Sequence, residues 1–310
     1  MAISTRRADA PARPAELLAA GTDLMERRRS GISRGPVTEV VRTGASTGIA
    51  WNTSGAAVIG SQVTIAAVAS DRRLGSAYPG LAAAAAGLAT PQIRSIGTVG
   101  GNLAQRSRCW YYRNPHMACL KKGDSVCPAR PGNHLYGVIF DMGPCVAPHP
   151  STLGAALLAY EATVTTNRRK DLAMQDLFGE GRDGTRDNML EPEEQIVTVA
   201  LPPPAQGEQA AYRRAISRTH AEWPLVEVVV RVVPDGDKIA LARVAGGGIA
   251  PVPRRLRAVE DALAGKQLDE ATIAAAAKRA ADSAEPLPLT GYKVTLLEGL
   301  VSSVLAELRA

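Results

Sequence analysis

The sequence predicts an α+β protein made of two consecutive parts, residues 1–205 and residues 206–310. Three segments within 211–250 alternate apolar and polar residues between turns, which indicates a three-stranded antiparallel sheet. Residues 251–310 carry apolar side chains at helical spacing in three segments, which predicts a three-helix bundle beside that sheet. The triple proline at 202–204 is the best linker candidate between the two parts.

The first part is predicted to mix short strands with short helices. Residues 14–29 contain an apolar stretch, then a turn, then a helical pattern. Residues 37–71 have brief Val, Ile and Thr runs broken by glycine, which is typical of strands joined by turns, and a helix begins near their end. An alanine-rich helix is predicted within 72–90, and residues 149–166 predict a capped helix followed by a strand.

Hydropathy and charge exclude several classes of protein. The chain has 310 residues, 45% of them hydrophobic, but no run of about 18 apolar residues, so we expect no transmembrane helix. Because no signal peptide is recognisable, we expect a cytoplasmic protein, unless a partner with an export signal carries it to the periplasm. The net charge of +6 is spread along the chain without interleaved aromatic residues, so nucleic acid is not an expected partner.

Two glycine-containing segments are candidates for contact with an anionic ligand. In LLAAGTDL, residues 17–24, a turn at Gly21 opens a helix, and the free N–H groups at a helix start favour anions. In PQIRSIGTVGGNLAQ, residues 91–105, Gly100 and Gly101 permit a close backbone approach. Taken by itself, this second segment is better explained as a tight turn between two elements.

All four cysteines lie between Cys109 and Cys145, in a stretch whose prolines and glycines predict a loop. Their number permits two disulfides, although a chain of this length does not need them. Zinc sites usually show cysteine pairs two to four residues apart, and no such pair occurs here. Four thiolates are also the number that an iron–sulfur cluster requires. The spacing leaves these alternatives open, and a long loop without periodicity is either disordered or organised around some such centre.

The motifs together resemble a known family. The strings LLAAGTDL at 17–24 and IRSIGTVGGNLAQ at 93–105 resemble the two flavin-binding signatures of the FAD subunit of molybdenum hydroxylases, the xanthine dehydrogenase and carbon monoxide dehydrogenase family. HPS at 149–151, PLVEVVVRVV at 224–233 and the C-terminal AEPLPLTGYKVTLLEGLV extend the similarity over nearly the whole chain. The cysteine segment, through QRSRCWYY and CVAPHPS, resembles a narrower subgroup, the FAD subunit of bacterial aldehyde oxidoreductases.

This resemblance implies a fold and two cofactors. The fold is a two-subdomain FAD-binding (PCMH-type) region at 1–205, with subdomains of about 1–50 and 51–205 and a cysteine loop at 104–148, followed by the C-terminal domain. The residues implied to contact FAD are Leu18, Ala19, Ala20, Gly21, Thr22, Asp23, Leu24, Thr98, Gly100, Gly101, Asn102, Gln105 and Ser151. The thiols implied to ligate an extra [4Fe–4S] cluster are those of Cys109, Cys119, Cys127 and Cys145.

The function implied is that of an electron-transfer FAD subunit in a molybdenum-dependent aldehyde oxidase or dehydrogenase. Electrons would arrive from [2Fe–2S] clusters of a small partner subunit, and substrate chemistry would occur at the molybdopterin of a large partner subunit. A heterotrimer, single or doubled, is therefore expected, and no residue of this chain is expected to be catalytic. The alternative is a flavin-free structural scaffold with a metal-braced loop.

Three departures from the family pattern bear on FAD binding, and the first two of them motivate that alternative. Ala20 replaces a usual glycine of the first loop, which would cost about 1 kcal/mol or more if that position required positive φ. Thr152 replaces an aspartate, so an acidic flavin contact is expected to be missing. The chain also begins closer to the first loop than is usual in the family. All three predict weaker FAD binding.

Overall fold

The computed structural model describes residues 14–309, so the first 13 residues of the predicted N-terminal subdomain lie outside the described residues. The strands are β1 (Glu16–Leu18), β2 (Val37–Glu39), β3 (Ile49–Trp51), β4 (Ala57–Gly60), β5 (Thr163–Thr166), β6 (Leu172–Ala173), β7 (Ile196–Leu201), β8 (Gln209–Ala215), β9 (Val226–Asp235), β10 (Lys238–Gly247) and β11 (Arg254–Arg255). The helices are α1 (Leu24–Arg29), α2 (Gly44–Thr47), α3 (Ile65–Ser70), α4 (Arg72–Ala77), α5 (Pro79–Gly87), α6 (Pro91–Ile96), α7 (Val99–Ala104), α8 (Trp110–Arg113), α9 (Thr152–Ala159), α10 (Met174–Phe178), α11 (Arg257–Leu263), α12 (Glu270–Lys278) and α13 (Tyr292–Arg309).

The first part contains two sheets. Strands β1 and β2 form a parallel pair, and a separate antiparallel sheet has the strand order β3-β4-β7-β5-β6. Side-chain caps begin the helices that cover this sheet. Thr64 Oγ1 accepts the Ala67 N–H at 3.1 Å at the start of α3, and Asp71 Oδ1 accepts the Leu74 N–H at 2.8 Å at the start of α4. The predicted alanine-rich helix is α5, which begins at Pro79.

The second part contains a four-stranded antiparallel sheet of order β11-β10-β9-β8, one strand more than the three predicted. The additional strand, β11, is only two residues long and pairs with β10, and so short a segment leaves no detectable alternation in the sequence. Helices α11, α12 and α13 are present on one face of the sheet: α11 packs against β10, α13 packs against β8 and β9, and α12 packs against α11 and α13.

The opposite face of this sheet packs against the first part. Val229 and Ala245 belong to one core with the helices α5 and α9, whereas Val228 and Val230 face α11–α13 in the other core. A sheet buried on both faces explains why β9 is apolar along most of its length instead of alternating. The proline segment at 202–204 therefore joins two parts that share a hydrophobic core.

No helix within residues 14–309 combines the length and the apolar character needed to cross a bilayer.

The shared core predicts that the two parts unfold together. Replacing the fully buried Val229 by alanine removes contacts on the face of β9 that meets the first part, so we expect V229A to lower the free energy of unfolding by about 2 kcal/mol. V228A, on the other face of the same strand, is the matched variant and is expected to shift the same transition. Scanning calorimetry that resolves two transitions, each sensitive to only one variant, would contradict a shared core.

Candidate functional site

The first loop, residues 17–24, turns at Gly21 between β1 and α1. Gly21 has φ +76°, and a Cβ there would come within 2.9 Å of Met25 Cγ, so the turn requires glycine. The backbone of Ala20 is not left-handed, so the cost expected from alanine at this position does not arise. Among the described residues, no acceptor satisfies the backbone N–H groups of Thr22 and Asp23, which leaves two donors at the start of α1.

The side chain of Asp23 binds arginines. Its carboxylate accepts the Nη2 groups of Arg113 at 2.6 Å and Arg108 at 3.1 Å, and Nε of Arg27 at 3.1 Å. It also accepts the backbone N–H of Arg106 at 3.2 Å. Burial alone would raise the pKa of Asp23, but the three guanidinium charges lower it below its ordinary value. The part of Asp23 available to a ligand is therefore its backbone N–H.

In the second loop, residues 97–102, most backbone N–H groups already donate hydrogen bonds within the protein. Thr98 Oγ1 caps α7 by accepting the Gly101 N–H at 3.1 Å, while the Gly100 N–H donates to the Ser61 carbonyl at 2.8 Å. The Asn102 N–H donates to the Thr98 carbonyl at 2.9 Å. A hydroxyl that accepts one hydrogen bond still has its own proton to donate, so the Thr98 hydroxyl is the donor that this loop offers a ligand.

Two of the expected FAD contacts lie behind the cavity walls. A Cβ at Gly100 would come within 2.9 Å of Ser61 Cβ, so this glycine serves the close packing of α7. Ser151 is 1% exposed; its hydroxyl caps α9 by accepting the Gly154 N–H at 2.9 Å and donates to Asn102 Oδ1 at 2.7 Å. Ser151 thereby fixes the Asn102 amide with its oxygen occupied, and the amide NH₂ is the group left for a ligand.

Two cavities meet between the loops. The Gly21 cavity is lined by Leu17, Ala19, Ala20, Gly21, Leu24 and Arg27, so of the expected first-loop contacts only Leu18 is outside its lining. The Trp223 cavity has an apolar wall of Ile65, Leu88 and Ile93, with Asn102, Thr152 and Arg214 among its polar residues. Both cavities are lined by Thr22, Asp23, Thr98, Gly101 and Gln105.

This shape fits an elongated dinucleotide such as FAD. The two free N–H groups and the Thr98 hydroxyl lie on the wall that the cavities share, where a pyrophosphate needs donors. The Trp223 cavity adds a volume of about 230 Å³ beside that wall. The residues present therefore fit a bound FAD.

Arg108 and Trp223 also line the site, although the sequence did not indicate them. The Arg108 guanidinium lies 4.5 Å from the Trp223 ring centroid, and its Nη2 donates to Gln105 Oε1 at 3.1 Å. Burial and the like charges of Arg113 and Arg27 lower the pKa of Arg108 to about 10 although Asp23 opposes them, so it stays a cation at neutral pH. Arg108 follows the second glycine motif by three residues, whereas Trp223 comes from a remote segment; their only sequence signal is an arginine beside Cys109 and an aromatic residue in a turn.

The four cysteines are free thiols in the structure. Within residues 14–309, no group of three or more Cys, His, Asp or Glu side chains lies close enough to hold a metal ion. Cys127 and Cys145 share a hydrogen bond, which lowers the pKa of the Cys127 thiol and raises that of Cys145. Each of the four sulfurs also accepts at least one backbone N–H, for example Cys119 from Lys121. The donor set suits thiolates, but the side chains do not converge on one centre.

An ion cluster anchors the cysteine segment to the rest of the first part. Asp187 accepts Arg106 Nε at 2.5 Å and Lys121 Nζ at 2.9 Å, and both of these cations belong to the cysteine segment. Burial by itself would raise the pKa of Asp187, but the charges of Arg106 and Lys121 lower it to about 2. Asp187 therefore stays ionised, and the two cations hold the start and an interior point of the cysteine loop near residue 187.

Comparison with known families covers both parts of the chain. Residues 5–204 match the family described as FAD binding domain in molybdopterin dehydrogenase, and residues 209–308 match the CO dehydrogenase flavoprotein C-terminal domain. The aldehyde oxidoreductase FAD-binding subunit PaoB of Escherichia coli is 32% identical over 260 residues, 81% of this chain and 78% of that protein. The carbon monoxide dehydrogenase medium chain of Hydrogenophaga pseudoflava is 27% identical over 233 residues, 73% of this chain and 66% of that protein.

The fold has solved counterparts. A structure of carbon monoxide dehydrogenase from Hydrogenophaga pseudoflava, lacking the Mo-pyranopterin moiety of its molybdenum cofactor, superposes with a TM-score of 0.72 at 24% identity. The alignment covers 94% of this chain and 88% of that one. The resemblance drawn from the two loop motifs is thus confirmed, and the chain belongs to the oxidoreductase family of FAD-binding subunits of molybdopterin dehydrogenases.

Proposed function

We propose that this chain is the electron-transfer FAD subunit of a molybdenum-dependent aldehyde oxidoreductase complex. The observation that carries the proposal is the pair of cavities joined along the wall of Thr22, Asp23 and Thr98. The choice of aldehyde rests on the similarity to the aldehyde oxidoreductase FAD-binding subunit, which spans 81% of the chain. FAD would supply the ability to accept electrons singly and release them in pairs.

The residues around the cavities have separate tasks in binding FAD. The N–H groups of Thr22 and Asp23 and the hydroxyl of Thr98 would donate to the pyrophosphate, which favours convergent neutral donors. The NH₂ group of Asn102 is held toward the Trp223 cavity by Ser151. The apolar wall and Trp223 would exclude water from a planar ring system.

Exposed apolar side chains support docking to partner subunits. The cysteine segment carries five of them, at Trp110, Met117, Val126, Leu135 and Tyr136. Apolar groups concentrated in one segment usually mark a protein interface. This supports a complex with a large molybdenum-cofactor subunit and a small [2Fe–2S] subunit, single or doubled. We place the complex in the cytoplasm, or in the periplasm if a partner is exported.

We further propose that Cys109, Cys119, Cys127 and Cys145 ligate a [4Fe–4S] cluster. What supports it is their number, their confinement to one anchored segment, and the backbone N–H groups that each sulfur accepts. Hydrogen bonds of this kind stabilise thiolate ligands of clusters. The binding free energy of the cluster would gather the four side chains and order the loop.

The role of Thr98 predicts a selective loss of FAD affinity. The variant T98V keeps the side-chain shape but removes both the cap of α7 and the donor on the shared wall, so we expect the dissociation constant of FAD to rise about tenfold. T64V is the matched control, because Thr64 caps α3 in the same way without lining either cavity. Flavin fluorescence titration measures both affinities. Equal affinities in the two variants would show that Thr98 acts only as a helix cap.

The cluster proposal predicts an iron content. We expect the anaerobically purified complex to hold about four iron and four sulfide ions beyond those of the small subunit. C127S is expected to lose them, whereas S125A, which changes an exposed hydroxyl two residues away, is expected to keep them. Zinc in place of iron, or the same iron content in C127S, would contradict the cluster. A purified complex without flavin absorbance would instead favour the flavin-free scaffold.

A further inference from the structure

A buried carboxyl lies directly behind the wall of the Trp223 cavity. Glu227 on β9 is 1% exposed, and its partners across the sheet are Arg214 on β8 and Gly247 on β10. A Cβ at position 247 would overlap Glu227 Oε1. The carboxyl group therefore occupies space that a glycine on the neighbouring strand leaves open.

Two hydroxyl groups hold this carboxyl. Tyr212 Oη donates to Glu227 Oε2 at 2.8 Å, and the Thr152 hydroxyl lies next to the same carboxyl. Thr152 lines the Trp223 cavity, whereas Glu227 does not. Glu227 is therefore separated from anything bound in that cavity by one hydroxyl group.

Few charges face Glu227. Helices α5 and α9 contain no charged residue, and β10 contributes Gly247 at this point. Arg214 is the nearby cation, but among the described residues it forms no ion pair with Glu227, since its guanidinium donates to the carbonyls of Glu222 and His220. Burial therefore outweighs the hydrogen bonds and the Arg214 charge, and it raises the pKa of Glu227 to about 7.

The protonation of Glu227 determines whether the Thr152 hydroxyl donates or accepts a hydrogen bond in the cavity. The ionised carboxylate only accepts hydrogen bonds, so it takes the hydroxyl protons of both Tyr212 and Thr152, and the Thr152 oxygen then presents lone pairs to the cavity. The neutral acid has a proton of its own to donate to Thr152 Oγ1. The Thr152 proton is then free to be donated into the cavity.

We propose that Glu227 is a positioning residue that switches the Thr152 hydroxyl between acceptor and donor toward the FAD bound in the Trp223 cavity. This inference rests on the proposed function, which places the flavin ring there. With Glu227 ionised, a negative charge and an acceptor lie next to the flavin, which disfavours added electrons. With Glu227 neutral, the cavity wall offers a hydrogen-bond donor and no charge, which favours the addition of electrons to the flavin.

The test compares the reduction potential of bound FAD as a function of pH in full-length wild-type protein, E227Q and T152V. Absorbance during a redox titration gives each potential. We expect the wild-type and E227Q potentials to coincide at about pH 5.5 and to diverge through neutrality, with the wild type lower. T152V is expected to show a smaller pH-dependent divergence from E227Q than the wild type does. A difference between the wild-type and E227Q potentials that stays constant with pH would overturn the inference. So would a pH-dependent divergence of T152V from E227Q as large as that of the wild type.

E194Q is the matched control. Glu194 is also buried, but Arg169 and Thr166 bind it away from both cavities; although burial opposes them, these bonds lower its pKa to about 2. We expect E194Q to follow the wild-type potential at every pH, and a shift equal to that of E227Q would overturn the inference. The flavin content of each protein is measured before its potential. Failure to bind flavin would count against the proposed function.

A second readout does not require flavin. The folded protein raises the pKa of Glu227, so the stability that this group contributes is present at acid pH and is lost as pH rises through about 7. We therefore expect the thermal midpoint of the wild type to fall relative to E227Q between about pH 5 and about pH 7 and to run parallel to it above that. Parallel midpoints between about pH 5 and about pH 7 would show that Glu227 does not titrate there, and would overturn the inference.

Discussion

The Asp23 carboxylate joins the elements from which the candidate site is built. It lies in the first loop and binds Arg27 of the adjoining helix α1 together with Arg108 and Arg113 of the cysteine segment. Arg108 continues the connection to Gln105 beside the second loop and to Trp223 in the connection between β8 and β9. Removal of this one carboxylate would leave several guanidinium groups partly buried without their main counterion, and such unpaired charges are strongly destabilising.

The same ion pairs explain how a site without an unpaired positive charge suits an anionic cofactor. Arg27, Arg108 and Arg113 are matched by the carboxylates of Asp23, Glu26 and Glu16. None of these arginines is left to act as a dedicated counterion for a pyrophosphate. The backbone N–H groups of Thr22 and Asp23 and the hydroxyl of Thr98 remain, and such preorganised dipoles bind an anion without a further buried charge.

The shared core places the second part of the chain at the cavity. Strands β8 and β9 pack on α5 and α9, so Arg214 and Trp223 reach a cavity whose other walls belong to the first part. The same packing buries Glu227 beneath Thr152. Thr152 replaces the aspartate of the family pattern, and the structure places the acidic Glu227 of strand β9 next to it.

The sequence by itself determined the local chemistry of the protein. The helix caps, the glycine turn at Gly21, the antiparallel segments within 211–250 and the family were all predictable, because each depends on residues near one another in the chain. Tertiary structure decided which side of each motif faces the ligand. Gly100 and Ser151 lie in the predicted motifs but support the wall from behind, since packing against Ser61 and Asn102 orients them.

Tertiary structure alone also decided which further residues complete the site. Arg108, Trp223 and Glu227 acquire their roles from contacts across the shared core and the Asp23 ion pairs. No periodicity or spacing encodes such contacts, because they depend on how a sheet buried on both faces packs against helices far away in the chain. The sequence specified the elements and their donors, and the packing of those elements determined which groups meet at the cavity.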